Sequence, residues 1–147
     1  MTFALSAFRT DDSLRMAAVR HIRDIVFCQE QGVSAADEWD GKDDLCEHFL
    51  LSQADVPVGC ARVRPYGPGI FKIERVAVVN PHRGAGAGQF IMRALIRRLA
   101  GATVILNAQL AVEDFYKRLG FVPEGEIFEE AGIPHVRLAL RLTPAGL

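Results

Sequence analysis

Cysteine is scarce in this chain, and it has neither a long hydrophobic run nor an excess of one charge. Three cysteines among 147 residues, Cys28, Cys46 and Cys60, are too few and too odd in number for a disulfide framework. No pair of them has metal-site spacing, and the scarcity points to a reducing, cytoplasmic setting. No stretch reaches the ~18 consecutive apolar residues of a membrane span. The opening MTFALSAFRTDD has neither a basic start nor a sustained apolar run, so no membrane association is expected. Seventeen Lys and Arg against eighteen Asp and Glu leave a net charge of −1. That balance removes the uniformly basic surface that nucleic-acid binding by bulk electrostatics requires, and leaves room for a local anion site only.

Apolar residues are abundant instead. Half of the chain is hydrophobic and 24% is charged, a composition that buries enough surface to offset chain entropy. The length is that of one domain, residues 1–147.

Periodicity divides the chain into alternating elements. Residues 3–8 read as a strand, ended by the capping cluster Thr10-Asp11-Asp12-Ser13. Leu14, Ala18, Ile22, Ile25 and Val26 recur at helical spacing and predict one helix to about residues 29–31, closed by Gly32. Residues 33–44, VSAADEWDGKDD, read as an acidic loop, solvated and anchored by Trp39 or lining the mouth of a site for a cationic amine. The solvated reading is the commoner explanation. Residues 45–52 and 56–63 pattern as strands around a hairpin turn, residues 64–69 as a second turn, and residues 70–79 as a strand. A helix over residues 86–99, a buried strand over 103–107, a short helix over 112–119, and paired strands over 121–128 and 135–142 complete the order. The class is α+β, mixed α/β, around one sheet.

The segment from Ile73 to Phe90 runs from a strand through Arg83-Gly84-Ala85-Gly86-Ala87-Gly88 into a helix. Free N–H groups and the dipole at a helix start favour phosphate, and glycines let it approach the backbone. A triphosphate loop would need Gly-Lys-Ser/Thr, but Gly88 is followed by Gln89 and Phe90. The spacing also departs from the dinucleotide fingerprint, which disfavours a nucleotide-binding redox protein.

Arg83-Gly84-Ala85-Gly86-Ala87-Gly88, preceded by Val76-Ala77-Val78, resembles the acyl-CoA signature of the GNAT N-acetyltransferase superfamily. Asn107-Ala108-Gln109 and Phe115-Tyr116-Lys117-Arg118-Leu119-Gly120-Phe121 resemble its later motif. Val26-Phe27, Glu30-Gln31-Gly32-Val33 and Gly132-Ile133-Pro134-His135 look like its ElaA/YjcF-like bacterial branch. The resemblance implies one mixed, mostly antiparallel central sheet flanked by helices. It also implies acetyl-CoA (coenzyme A) as co-substrate, no metal, and an acceptor that is a small-molecule amine or a protein amino group. A homodimer is compatible with it. By the same resemblance, backbone groups of Val76, Ala77 and Val78 hold the pantetheine arm with Asn107, while N–H groups from Gly84 to Gln89 hold the pyrophosphate. Tyr116 would protonate the leaving thiolate.

Two residues are candidates for the base. His135 matches a position from which some relatives present a histidine, and imidazole ordinarily titrates near ~6.5. Glu74 alternates, by strand period, onto the side of Val76 and Val78 and would act through water; the bland alternative pairs it with Arg62 or Arg75. Arg93, Arg97 and Arg98 read as a solvated helix face, and Cys46 with His48 as buried groups rather than metal ligands. A catalytically silent acyl-CoA-binding module is the competing function.

Overall fold

The computed structural model describes residues 2–143. Seven strands form one sheet in the order β1-β2-β3-β4-β5-β7-β6: β1 (Phe3–Phe8), β2 (Glu47–Gln53), β3 (Val56–Gly67), β4 (Ile70–Val78), β5 (Thr103–Gln109), β6 (Val122–Glu130) and β7 (Ile133–Arg141). The helices are α1 (Ser13–Arg23), α2 (Ala35–Glu38), α3 (Ala87–Arg98) and α4 (Glu113–Arg118). Only β4 and β5 run parallel, joined by the crossover through α3; the other neighbours are antiparallel.

Local chemistry accounts for most boundaries. Asp12 accepts from the Arg15 N–H and caps α1, whose last turn carries Arg20, His21 and Arg23 towards the negative end of the helix dipole. The single helix expected to residues 29–31 changes character at Asp24. It continues as a π-helical segment, Asp24–Glu30, before Gly32 turns with φ +71°. Ala54 and Asp55 both have positive φ and make the tight β2–β3 turn. The second turn is shorter than expected, since β3 runs on to Gly67. Pairing with β2 ends at Val63, so Pro65 faces no partner there that needs its missing N–H. Likewise β6 and β7 extend to a two-residue turn at Ala131 (φ 52°) and Gly132 (φ 75°).

The sheet carries a core on each face. Phe49, Ile73, Leu106 and Leu138 pack with Ile91 and Leu95 of α3 and Tyr116 of α4. Leu50, Cys60 and Ala77 pack beneath Met16, Val19 and Ile22 of α1.

Two departures from regularity shape the middle of the sheet. First, β4 and β5 pair only over Ile70–Lys72 against Thr103–Ile105, and beyond that they have no ladder. Second, Cys60 opposes Ala77 while Arg62 opposes Glu74, so β4 carries one extra residue, and Arg75 within it has φ +57°. This bulge reverses the alternation. Ile73 packs with the α3 core before it and Val76 and Val78 after it, whereas Glu74 lies on the α1 face with Ala77. The expectation that Glu74 shares a side with Val76 and Val78 is therefore corrected.

Candidate active site

The splay of β4 from β5 opens a cleft of about 870 Å³, within the range of small-molecule sites. The α3 turn closes one end. Gly84 and Gly86 take φ +84° and +85°, and a Cβ on either would meet nothing within 4 Å, so the turn presents bare backbone to open space. The first bond of α3 runs from the Phe90 N–H to the Gly86 carbonyl. The N–H groups of Ala87, Gly88 and Gln89 thus have no intrahelical acceptor, an arrangement suited to an anion. Gly88 serves packing as well, because a Cβ there would lie 3.3 Å from the Phe115 ring.

Arg83 is anchored away from this turn. Its Nε donates to the Val78 carbonyl at 2.7 Å, and its guanidinium pairs with Glu30 at 2.9 Å. The π-helical segment is thereby tied to the end of β4. Gln31 is tied similarly to Gln109 of β5, at 2.8 Å. Of the expected cofactor strand, Val76 and Val78 line the opening with side chains on the α3 face, and Ala77 turns its methyl under α1. Ala85 is exposed in the turn.

Tyr116 and His135 both line the cleft and reach it from opposite faces of the sheet. Tyr116 belongs to the α3-side core, edge-on to Phe115 and Phe121 at 5.0 and 6.0 Å. Burial pushes its hydroxyl up to about 12, which keeps it a proton donor at neutral pH. His135 alternates with Val136 and Leu138 onto the other face, stacked on Phe128 at 6.0 Å. Its Nδ1 lies 2.6 Å from the Ile133 carbonyl. A carbonyl only accepts, so Nδ1 carries the hydrogen and Nε2 keeps a free lone pair in the neutral ring. That Nε2 is 3.7 Å from the Glu130 carboxylate. Asn107 stands beside them, donating to Glu130 and accepting from Arg137, each at 3.4 Å.

Glu74 has a different environment from that of a free base. Arg62, Arg64 and Lys72 lie 3.2, 3.0 and 3.3 Å from its carboxylate. Arg64 leads these cations in holding it down to about 2 against burial. A carboxylate so stabilised in its charged form is a poor proton acceptor. Glu74 is the hub of an ion network that residue counts alone do not reveal.

Three carboxylates of the acidic segment 33–44 belong to the same network, so the segment is not simply a solvated loop; most of its other residues are exposed, and Asp37, Glu38, Asp40 and Lys42 line the cleft. The segment contains α2, and Glu38 is only 2% exposed. Arg23 bonds Glu38 and Asp43 at 2.8 Å each. Arg62 bonds Asp40 at 2.6 Å and Asp43 at 2.9 Å. Arg75 reaches Glu38 at 2.9 Å and Asp40 at 3.3 Å. Burial raises Glu38, whereas the arginines lower Asp40 and Asp43 despite it. Trp39 anchors the segment under the Arg23 guanidinium, 4.8 Å from its ring. Outside the cleft, Cys46 and His48 bond the carbonyls of Lys42 and Asp43. Arg98 pairs with Glu47, and Arg93 and Arg97 are exposed.

One mixed, mostly antiparallel sheet flanked by helices, which the motif resemblance implies, is what the structure shows. The Acetyltransferase (GNAT) domain model matches residues 29–142. The chain belongs to the GNAT acetyltransferase family. Among its GNAT relatives, the uncharacterized N-acetyltransferase YjcF of Bacillus subtilis is 40% identical over 122 residues, covering 80% of this chain and 86% of YjcF. ElaA of Escherichia coli is 32% identical over 140 residues, covering 89% and 90%. The ElaA crystal structure matches with a TM-score of 0.83 at 28% identity over 94% of this chain and 99% of that one. An acyl-CoA N-acyltransferase from Pseudomonas aeruginosa matches with a TM-score of 0.81 at 26% identity, with the same coverages. The chain falls in the ElaA/YjcF-like branch of the GNAT family, with its mixed sheet, and family membership supports acyl transfer.

Proposed function

We propose that this GNAT protein moves an acetyl group from acetyl-CoA to a primary amine by direct attack within a ternary complex. The observation that carries the reading is that Tyr116 and His135 line one cleft, reaching it from opposite faces of the split sheet, with the His135 Nδ1 held by the Ile133 carbonyl so that Nε2 is turned away from it. The glycine turn at its end fits coenzyme A: its bare backbone gives room for the pyrophosphate, and its unpaired N–H groups donate to the pyrophosphate oxygens. Beyond Lys72 the unladdered edge of β4 receives the pantetheine amide as a further strand would, with Asn107 opposite.

Chemistry then requires alignment and two proton transfers. The amine nitrogen bonds to the thioester carbonyl carbon, and the C–S bond breaks with its electron pair going to sulfur. His135 Nε2 takes the proton that the amine sheds and passes it to solvent. Tyr116 gives its O–H proton to the departing sulfur as charge builds there, and regains one from solvent. Each positioned group contributes on the order of 10²–10⁴ in rate.

The test is release of free CoA thiol from acetyl-CoA across a panel of primary amines, followed with a thiol reagent. Amine-dependent release supports the reading. Acetyl-CoA binding without release by any amine overturns it in favour of a silent acyl-CoA-binding module.

A further inference from the structure

We propose that the acceptor carries an anionic group a few bonds from its amine, held at the cleft rim by Arg137, Lys72 and Tyr66. The inference rests on the amine-acetylating reading above and names the class of amine. Arg64, Lys72 and Arg137 gather around the half-exposed Tyr66 ring, at 5.5, 5.7 and 5.5 Å from its centre. Their charges are not balanced. Arg64 and Lys72 share the Glu74 carboxylate, on which Arg62 also draws. Arg137 has no carboxylate within 4 Å among the described residues; its bonds are to the neutral Tyr66 hydroxyl and Asn107 amide, both at 3.4 Å. Deeper in the network Arg23, Arg62 and Arg75 meet Glu38, Asp40 and Asp43, each at least twice shared. The surplus positive charge therefore collects at one end of the open sheet face, and long bonds to neutral partners leave Arg137 free to exchange them for an anion.

The opposite end has the opposite sign. Glu130 stands beside the His135 Nε2, and a single side chain, Asn107, separates Glu130 from Arg137. An ammonium arriving at Glu130 and His135 thus places an attached anion against Arg137 when only a few bonds join the two. A polyamine or a protein lysine would put uncompensated or positive groups there instead. The shared chemistry is an amine bearing a carboxylate or a phosphonate.

The experiment compares β-alanine and 2-aminoethylphosphonate with β-alaninamide and 1,3-diaminopropane. Two readouts are used: kcat/KM by CoA release, and direct calorimetric binding to the CoA-loaded protein, which reads the subsite even without turnover. At least tenfold preference for one or both anionic amines is expected. Arg137→Gln should abolish it mainly through KM, Arg137→Lys should restore part of it, and acetyl-CoA affinity should hold. Preference for the carboxylate or for the phosphonate identifies the anion. Tyr66→Leu, at an exposed ring, gives a second probe should Arg137→Gln not fold. Equal use and binding of amide, diamine and anionic amines, or a preference that survives both variants, would overturn the proposal. Anionic amines that bind the CoA complex in an Arg137-dependent manner without acetylation would sink the transfer reading while sparing the subsite.

Discussion

Replacing Glu74 by glutamine separates a structural carboxylate from a catalytic one. The side chain is nearly isosteric, so what is lost is the charge facing Arg62, Arg64 and Lys72. The three cations hold the carboxyl at about 2 against an ordinary 4.5, a gap of roughly 3 kcal/mol between its charged and neutral forms. At about 3 °C per kcal/mol for a domain of this size, Glu74→Gln should lower the Tm at pH 7 by roughly 10 °C. Because the native carboxyl is depressed, its contribution is complete above the ordinary glutamate range. It is lost as the pH falls from about 4.5 towards about 2. The melting points of variant and wild type should therefore converge through that window, measured by circular dichroism. The acid limb of kcat/KM should stay where it is. A variant that melts within ~2 °C of wild type and loses the limb would refute this reasoning and make Glu74 the base.

Gly86→Asp should abolish acetyl-CoA binding by calorimetry, because it sets a carboxylate against the anion turn; Gly86→Asn, which tolerates the same positive φ, should retain most of it. Tyr116→Phe should lower kcat by on the order of 10²–10³ with little change in acetyl-CoA affinity, since its proton acts on the leaving sulfur; parallel losses would make it a packing residue. His135→Ala should flatten the acid limb of kcat/KM and cost on the order of 10² or more in rate; an unchanged limb would assign it to the amine substrate itself.

What was legible in the sequence was local. The glycine turn, the hairpin at Ala54-Asp55 and the motif around Tyr116 each depend on residues within a few positions of one another, where composition speaks directly. Beyond the pairing of Glu74 with Arg62 weighed above, the ion network was not legible, because its partners are far apart in sequence: 15 residues for Arg23 and Glu38, 22 for Arg62 and Asp40. Charge counts in residues 33–44 look the same whether the carboxylates meet water or buried arginines. One signal was available. Arg62 and Arg64 on β3 and Lys72 and Glu74 on β4 fall at alternate positions of their strands, which places four charges on one face. Period-two extrapolation then failed at the next residue, Arg75, a bulge position that is not glycine.

That bulge explains how one strand serves both halves of the cleft. A non-glycine residue at φ +57° costs on the order of 1–3 kcal/mol, and a glycine at position 75 would avoid it. A glycine could not, however, reach α2, and Arg75 bonds the Asp37 and Glu38 carbonyls and pairs with Glu38 and Asp40. The strain is thus offset by contacts that clamp the 33–44 segment over the sheet. The phase slip has a second effect. Before it, β4 points Lys72 and Glu74 at the open face, where the acceptor's charge would be read. After it, Val76 and Val78 turn to the α3 face, and the strand edge beside them lacks a β5 partner. A regular strand would have kept all four side chains on one face, with the charged pair running into the apolar α3 core or the valines turned away from it. The extra residue sets the charged pair proposed to face the acceptor and the strand edge proposed to align the cofactor on consecutive stretches of the same strand.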